Sequence, residues 1–225
     1  MKIYIFDGGP RENWNTAAMC ASFARGAGES GAETETVRLY DIDYTGCKSC
    51  FACKVKGGAS FGRCGWRDGI YELLDLAAHA DGVVFASPIY FGTITARLQA
   101  FSERLFFPFV QYDREYSVTA PKKLETAVIY TMNVKEPMME KLYLGESGEG
   151  PLSNFERVVE RVFTKPERIC AFNTYQFSDY SRYEASGWDE REKAAWKRDV
   201  FPAELNGAFD AGRRMAEKIR RNCAK

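Results

Sequence analysis

Apolar residues in this chain collect in short runs, and between the runs they recur at every third or fourth position. The run at 82–86 (GVVFA) has no hydrophobic–polar alternation, which is what a parallel strand covered by helices on both faces requires. Segments at 2–6 (KIYIF), 35–39, 124–131 (LETAVIYT) and 168–174 predict four more strands. Between them the spacing turns helical. Cys20, Phe23, Ala24 and Ala27 form one apolar stripe behind the capping residues Asn15 and Thr16, and Ile70, Leu73, Leu74, Ala77 and Ala78 form a second. Ile94, Leu98, Phe101 and Leu105 line a third helix that begins near Thr93. Phe155, Val158, Val159 and Val162 follow a capping box of Ser153 and Glu156. A last helix carries Leu205, Ala208, Phe209, Gly212, Ala216 and Ile219, with Pro202 separating it from the charged segment 189–199.

Strands that alternate with helices and cross over right-handed predict a doubly wound three-layer α/β sandwich with a five-stranded parallel sheet. In the flavodoxin-like strand order 2-1-3-4-5, the loops after strands one, three and four meet at one switch point, where such sheets bind ligands. The first of these loops, DGGPRENWNT at 7–16, leads into a helix whose free backbone N–H groups suit a phosphate, and Arg11 adds a planar charged fork. It is neither GxGxxG nor GxxxxGK[ST], so it suits a single terminal phosphate. The second loop, SPIYFG at 87–92, places two aromatics between a proline and a glycine. Taken alone it is also explained as a tight turn with packed aromatics. The third is the edge Thr131, Met132 and Asn133. Together the loops point to a mononucleotide-sized ligand with a phosphate and a flat ring.

Charge narrows the partners, since 31 basic and 31 acidic residues cancel and nothing global attracts nucleic acid or an anionic membrane. No apolar run approaches the roughly 20 residues of a membrane span, and no signal-peptide pattern precedes the first strand, so the expected location is the cytoplasm. The 225 residues suit one domain with a cysteine-rich loop at 45–66 and a C-terminal extension at 175–225. The single histidine, His79, leaves Ser–His–Asp and Cys–His chemistry without material, which favours a cofactor.

Four of the seven cysteines, Cys47, Cys50, Cys53 and Cys64, fall in that one loop, the first three spaced C-x2-C-x2-C. That run suits an Fe–S site better than zinc, with free thiols as the remaining alternative. Two further segments stand out. The aromatic stretch 106–116 (FFPFVQYDREY) is too apolar for a free loop and is expected as satellite core or a subunit contact, and the long loop after 133 is expected to be a lid or disordered.

GGPRENWNTA at 8–17 and SPIYFG at 87–92 resemble the flavin loops of the NAD(P)H-dependent FMN reductase family. GCKSCFAC and GRC are similar to the cysteine run of its iron–sulfur flavoprotein branch, and the resemblance continues through IYTMNV and NTYQFSDYSRY. It implies FMN as cofactor, NADH or NADPH as co-substrate, and electrons passed to a flavin, quinone-like or protein acceptor. Gly9, Arg11, Asn13, Asn15 and Thr16 would hold the phosphate. Pro88, Ile89, Tyr90, Phe91 and Gly92 would border the ribityl chain and ring, and Thr131, Met132 and Asn133 would close the other edge. Cys47, Cys50, Cys53 and Cys64 would hold a [4Fe–4S] cluster. The family also implies a homodimer or larger assembly with flavin near the interface. Two other readings remain: an iron–sulfur flavoprotein devoted to electron transfer, and a non-enzymatic metal-binding or docking module on the same scaffold.

Overall fold

A computed structural model describes residues 1–223. Five parallel strands form one sheet in the order β2-β1-β3-β4-β5, as the sequence predicts. They are β1 (Lys2–Asp7), β2 (Glu33–Arg38), β3 (Gly82–Pro88), β4 (Glu125–Thr131) and β5 (Glu167–Ala171). The helices are α1 (Asn15–Glu29), α2 (Tyr71–His79), α3 (Ala96–Phe106), α4 (Glu136–Met139), α5 (Pro151–Val162), α6 (Glu190–Asp199) and α7 (Phe201–Cys223). None of the described helices is long and apolar enough to cross a membrane.

The unbroken apolar runs are explained by two cores, one on each face of the sheet. Ile3, Ile5, Val84, Ala86, Ala127 and Ile129 share a core with α1 and α7, while Tyr4, Phe6, Val83, Phe85, Val128 and Tyr130 share the other with α2, α3 and α5. Side chains alternate between faces along a strand, so a strand buried on both sides has no polar phase. Helices α1 and α7 approach closely through glycine. A Cβ at Gly26 would stand 1.9 Å from the Phe209 carbonyl oxygen, and one at Gly212 would stand 2.1 Å from that of Phe23.

Register brings the carboxyl ends into line: Asp7 pairs with Arg38 and Ala86, and Thr131 pairs with Pro88 and Ala171. Several boundaries differ from the sequence expectation, for local reasons. Helix α3 begins at Ala96 and not near Thr93, because Tyr90 and Thr93 first bridge around Phe91 and Gly92, both in the left-handed region. Ser153 and Glu156 do not cap α5. Gly150 and Pro151 open that helix, the Ser153 hydroxyl donates to the Leu144 carbonyl at 3.0 Å, and Glu156 takes both forks of Arg168. Strand β5 stops at Ala171, and Asn173 turns left-handed (φ 44°), so that Asn173 and Thr174 donate back to the carbonyls of Val134 and Met132.

The segment 106–116 is largely claimed by the chain's own core. Phe106 and Phe109 are buried against Phe155 and Phe163, while Tyr112 and Tyr116 stay exposed. Phe109 is therefore unavailable to a subunit contact. The long loop after Asn133 is also structured: α4 continues as a wide turn of five residues, Glu140–Leu144, and returns through glycines to α5.

Candidate flavin site

Eleven of the thirteen residues expected around a flavin line one cavity of about 460 Å³ at the carboxyl edge of the sheet: Gly9, Arg11, Asn15 and Thr16 after β1, Pro88, Ile89, Tyr90 and Phe91 after β3, and Thr131, Met132 and Asn133 after β4. The size falls in the range of small-molecule pockets. Asn13 and Gly92 lie elsewhere. Asn13 is exposed and borders a separate surface cavity beside Ala21 and Lys197, while Gly92 has left-handed backbone (φ 80°) and a Cβ there would stand 3.2 Å from the Tyr143 ring.

The phosphate loop is shaped by its small residues. Gly8 donates to the Ala86 carbonyl at 2.8 Å, and a Cβ there would meet Leu98 at 2.8 Å. The Gly9 N–H is taken by the Asp7 carboxylate at 2.7 Å, so it is not free for a phosphate. The donors left are those of the helix start. Trp14 stands at the N-cap of α1, and no side chain caps the helix. An uncapped N-terminus beside an arginine is a natural anion site. Thr16 and Thr131 join the first and third loops through their hydroxyls at 2.7 Å.

A wall that sequence reasoning missed comes from the segment after β5. Arg11 donates to the Gln176 carbonyl at 2.6 Å and lies over the Trp14 ring at 4.2 Å. Trp14 Nε1 and Asn15 Nδ2 both donate to the Tyr175 carbonyl, at 3.0 and 2.9 Å. Thr174, Tyr175, Gln176 and Trp188 thus join the lining, with Tyr143 from the wide turn. The only sequence signal for Thr174, Tyr175 and Gln176 was the NTYQFSDYSRY resemblance, which carried no assigned role, and Tyr143 and Trp188 had none. Arg11 uses one of its five donors on Gln176, so four remain.

The electrostatics follow from burial. Asp7 is 1% exposed, and desolvation pushes its carboxyl up to about 6, against the pull of the Gly9 N–H and of Arg38, whose Nη1 lies 3.9 Å away. Burial lowers the Arg11 guanidinium while Tyr90 and Tyr180 oppose the shift, and burial raises the Tyr90 phenol. The donor set, the uncapped helix and the aromatic walls fit a phosphorylated flat-ring ligand such as FMN.

The cysteine loop forms a second centre. Cys47, Cys50, Cys53 and Cys64 all border one small cavity together with Lys48, Glu103 and Arg104. Cys47 and Cys50 are exposed, Cys53 is buried, Cys64 is half-buried, and all four are free thiols. Ser49 and Phe51, on either side of Cys50, adopt left-handed backbone at φ 51° and 56°. Arg104 is almost fully buried, accepted by Asp68 and the carbonyls of Thr45 and Trp66, and its Nε lies 3.3 Å from the Cys64 sulfur. The coordination group expected from the spacing is not assembled. Among the described residues, no three His, Cys, Asp or Glu side chains stand close enough to hold a metal ion. Cys64 is instead engaged by the Arg104 guanidinium.

A family model described as NADPH-dependent FMN reductase matches residues 1–126. An iron–sulfur flavoprotein of Methanocaldococcus jannaschii is 33% identical over 104 residues, which are 46% of this chain and 51% of that protein. One of Methanosarcina thermophila is 32% identical over 104 residues, 46% of this chain and 52% of that protein. The match thus spans about half the length of these relatives. Among solved structures, an FMN-dependent NADH-azoreductase of Bacillus anthracis in complex with FMN superposes with a TM-score of 0.67 at 14% identity, covering 96% of this chain and 99% of that one. An NAD(P)H:quinone oxidoreductase from Methanothermobacter marburgensis gives 0.65 at 16% identity, covering 95% and 96%. At these identities the structural likeness speaks for the fold.

Proposed function

The chain belongs to the NADPH-dependent FMN reductase family, and from that premise we propose that it is a single-domain FMN-dependent oxidoreductase oxidising NADH or NADPH and reducing a flavin, quinone-like or protein acceptor. The observation that carries this reading is the meeting of three carboxyl-edge loops around one aromatic-walled cavity beside an uncapped helix start. Bound FMN would supply the hydride-accepting chemistry, so the chain's task is to hold and orient it. In this reading the phosphate is held by the first turn of α1, by Arg11 and by the side chains of Asn15 and Thr16. Trp14, Tyr90, Tyr143 and Trp188 offer planar walls, and the Thr16–Thr131 pair keeps the phosphate loop and the β4 edge at a fixed separation. No side chain is assigned as a general acid or base.

The test is a titration of flavin-free protein with FMN, followed by anaerobic NADH and NADPH oxidation. Arg11→Ala is expected to weaken FMN about 10- to 150-fold, the worth of a charge-assisted contact of about 1.5–3 kcal/mol. Equal affinity in variant and parent would remove Arg11 from the phosphate site.

A second centre belongs to the proposal, because all four loop cysteines face one cavity and the chain is similar to iron–sulfur flavoproteins. Left-handed backbone at two non-glycine residues flanking Cys50 is the kind of local strain that gathers at functional sites. Arg104 and Lys48 would complement the negative charge of thiolates around a [4Fe–4S] cluster. Protein purified anaerobically is expected to carry iron and sulfide, and Cys50→Ser to lose the iron while keeping FMN. Anaerobic material without iron would reduce the segment to a structural loop. The proposal also takes the protein as a cytoplasmic homodimer with no nucleic-acid or membrane partner.

A further inference from the structure

Helix α6 carries a lysine that the chemistry above does not use. Lys193 is 1% exposed, and its ammonium donates to Asn173 Oδ1 at 3.0 Å and to the carbonyls of Thr174 and Asn133 at 3.2 and 3.3 Å. It also lies over the Trp188 ring, 4.8 Å from the centroid. Asn133, Thr174 and Trp188 each line the flavin cavity, and they come from three different segments: the β4 edge, the turn after β5 and the stretch before α6. One buried cation therefore gathers three walls of the site.

What it lacks is a counter-charge. Among the described residues no carboxylate stands within ion-pair distance of Lys193. Its neighbour Glu192 is spent on Lys135 at 2.5 Å and on the Asn173 amide at 3.2 Å, and Glu204 on α7 accepts the Phe172 N–H at 2.9 Å. Lys135, on the segment after β4, adds a like charge. Oxygen dipoles alone do not offset the desolvation of an ammonium, and such groups are often replaced by apolar residues without loss of stability. A fold that keeps an uncompensated cation beside an anion-binding cavity keeps it at a cost to stability that binding can recover.

We propose that Lys193 is a positioning residue of the flavin site, which joins the three wall segments from behind the cavity lining and holds there a positive charge that the negative charge of bound FMN offsets. The inference rests on the FMN reading above. Burial, helped by Lys135 and opposed by Glu192, lowers the ammonium to about 8. The unfolded chain binds this proton more tightly, so charged Lys193 costs stability at neutral pH, and the cost is relieved as pH rises above about 8. An anion bound nearby favours the charged form, and by reciprocity FMN binding near pH 8 draws a proton from solvent.

The experiment is calorimetric titration of flavin-free protein with FMN at pH 8 in two buffers of different ionisation enthalpy, with melting temperatures measured at pH 7. The parent is expected to take up a measurable fraction of a proton per FMN. Lys193→Met is expected to take up none, to bind FMN at least tenfold more weakly at pH 7, and to melt no lower than the parent. The affinity ratio should shrink as pH rises through 8 to 9.5. A residue that only held the fold together would lower the melting temperature and leave this pH dependence flat. FMN binding by the parent without proton uptake, uptake that persists in Lys193→Met, or equal FMN affinity in the two proteins overturns the inference alone. A parent that binds no FMN overturns the flavin reading with it.

Discussion

Asp7 shows how one residue's setting carries over to the site. It ends β1, lies under the phosphate loop and takes the Gly9 N–H, and the Arg38 guanidinium stands 3.9 Å away. Its folded-state value of about 6 lies above that of an exposed aspartate, so the folded chain binds the proton more tightly than the unfolded one. Ionised Asp7 therefore costs stability above pH 6, and the cost fades as pH falls through 6 towards 4. Asp7→Asn is expected to raise the melting temperature at pH 7.5, by a free energy on the order of 2 kcal/mol, with the gain gone at pH 4.5. A gain independent of pH would mean that the carboxylate does not titrate in this range. The sequence placed Asp7 in the loop but gave no hint of this role, because desolvation depends on what packs around the group.

At the scale of elements, α1 and α7 approach closely through glycine, and that approach separates two glycines of one helix. Gly212 faces the Phe23 carbonyl with no space for a methyl group, whereas nothing lies within 4 Å of a Cβ at Gly207. Gly212→Ala must displace backbone and is expected to destabilise by on the order of 3 kcal/mol. Gly207→Ala is expected to stabilise by about 0.5–1 kcal/mol, since a helical glycine loses more backbone entropy on folding than alanine does. Denaturant unfolding of both variants checks the pair, and effects of equal sign would contradict this packing. In sequence Gly212 reads as one position of the helical stripe and Gly207 as another glycine of the same helix, with nothing to set their tolerance apart. Only the neighbour across the interface distinguishes them.

For the whole molecule, the proposed homodimer now rests on a different residue from the one that composition suggested. The stretch 106–116 is apolar enough to suggest a subunit contact, but the fold buries its Phe106 and Phe109 in the chain's own core. Phe91 is fully exposed at the lip of the cavity on left-handed backbone, and a second subunit would cover it. Phe91→Asp is expected to shift sedimentation from dimer to monomer with the melting temperature little changed, and a parent already monomeric at working concentration would sink the idea. The doubly wound sheet, its strand order and the three ligand loops were legible in the sequence, because buried parallel strands leave apolar runs and because turn and cap residues act on their immediate neighbours. The helix starts at Ala96 and Pro151 were not, since bridge pairing and a proline at the first turn overrode the nearer caps. Nor was the fourth wall of the site, where Tyr175, Gln176 and Trp188 come from more than 150 positions beyond the phosphate loop they complete. Periodicity reports which face of an element is buried. Which distant segment buries it, and whether a lone ammonium such as Lys193 is enclosed there, is decided only when the chain has closed on itself.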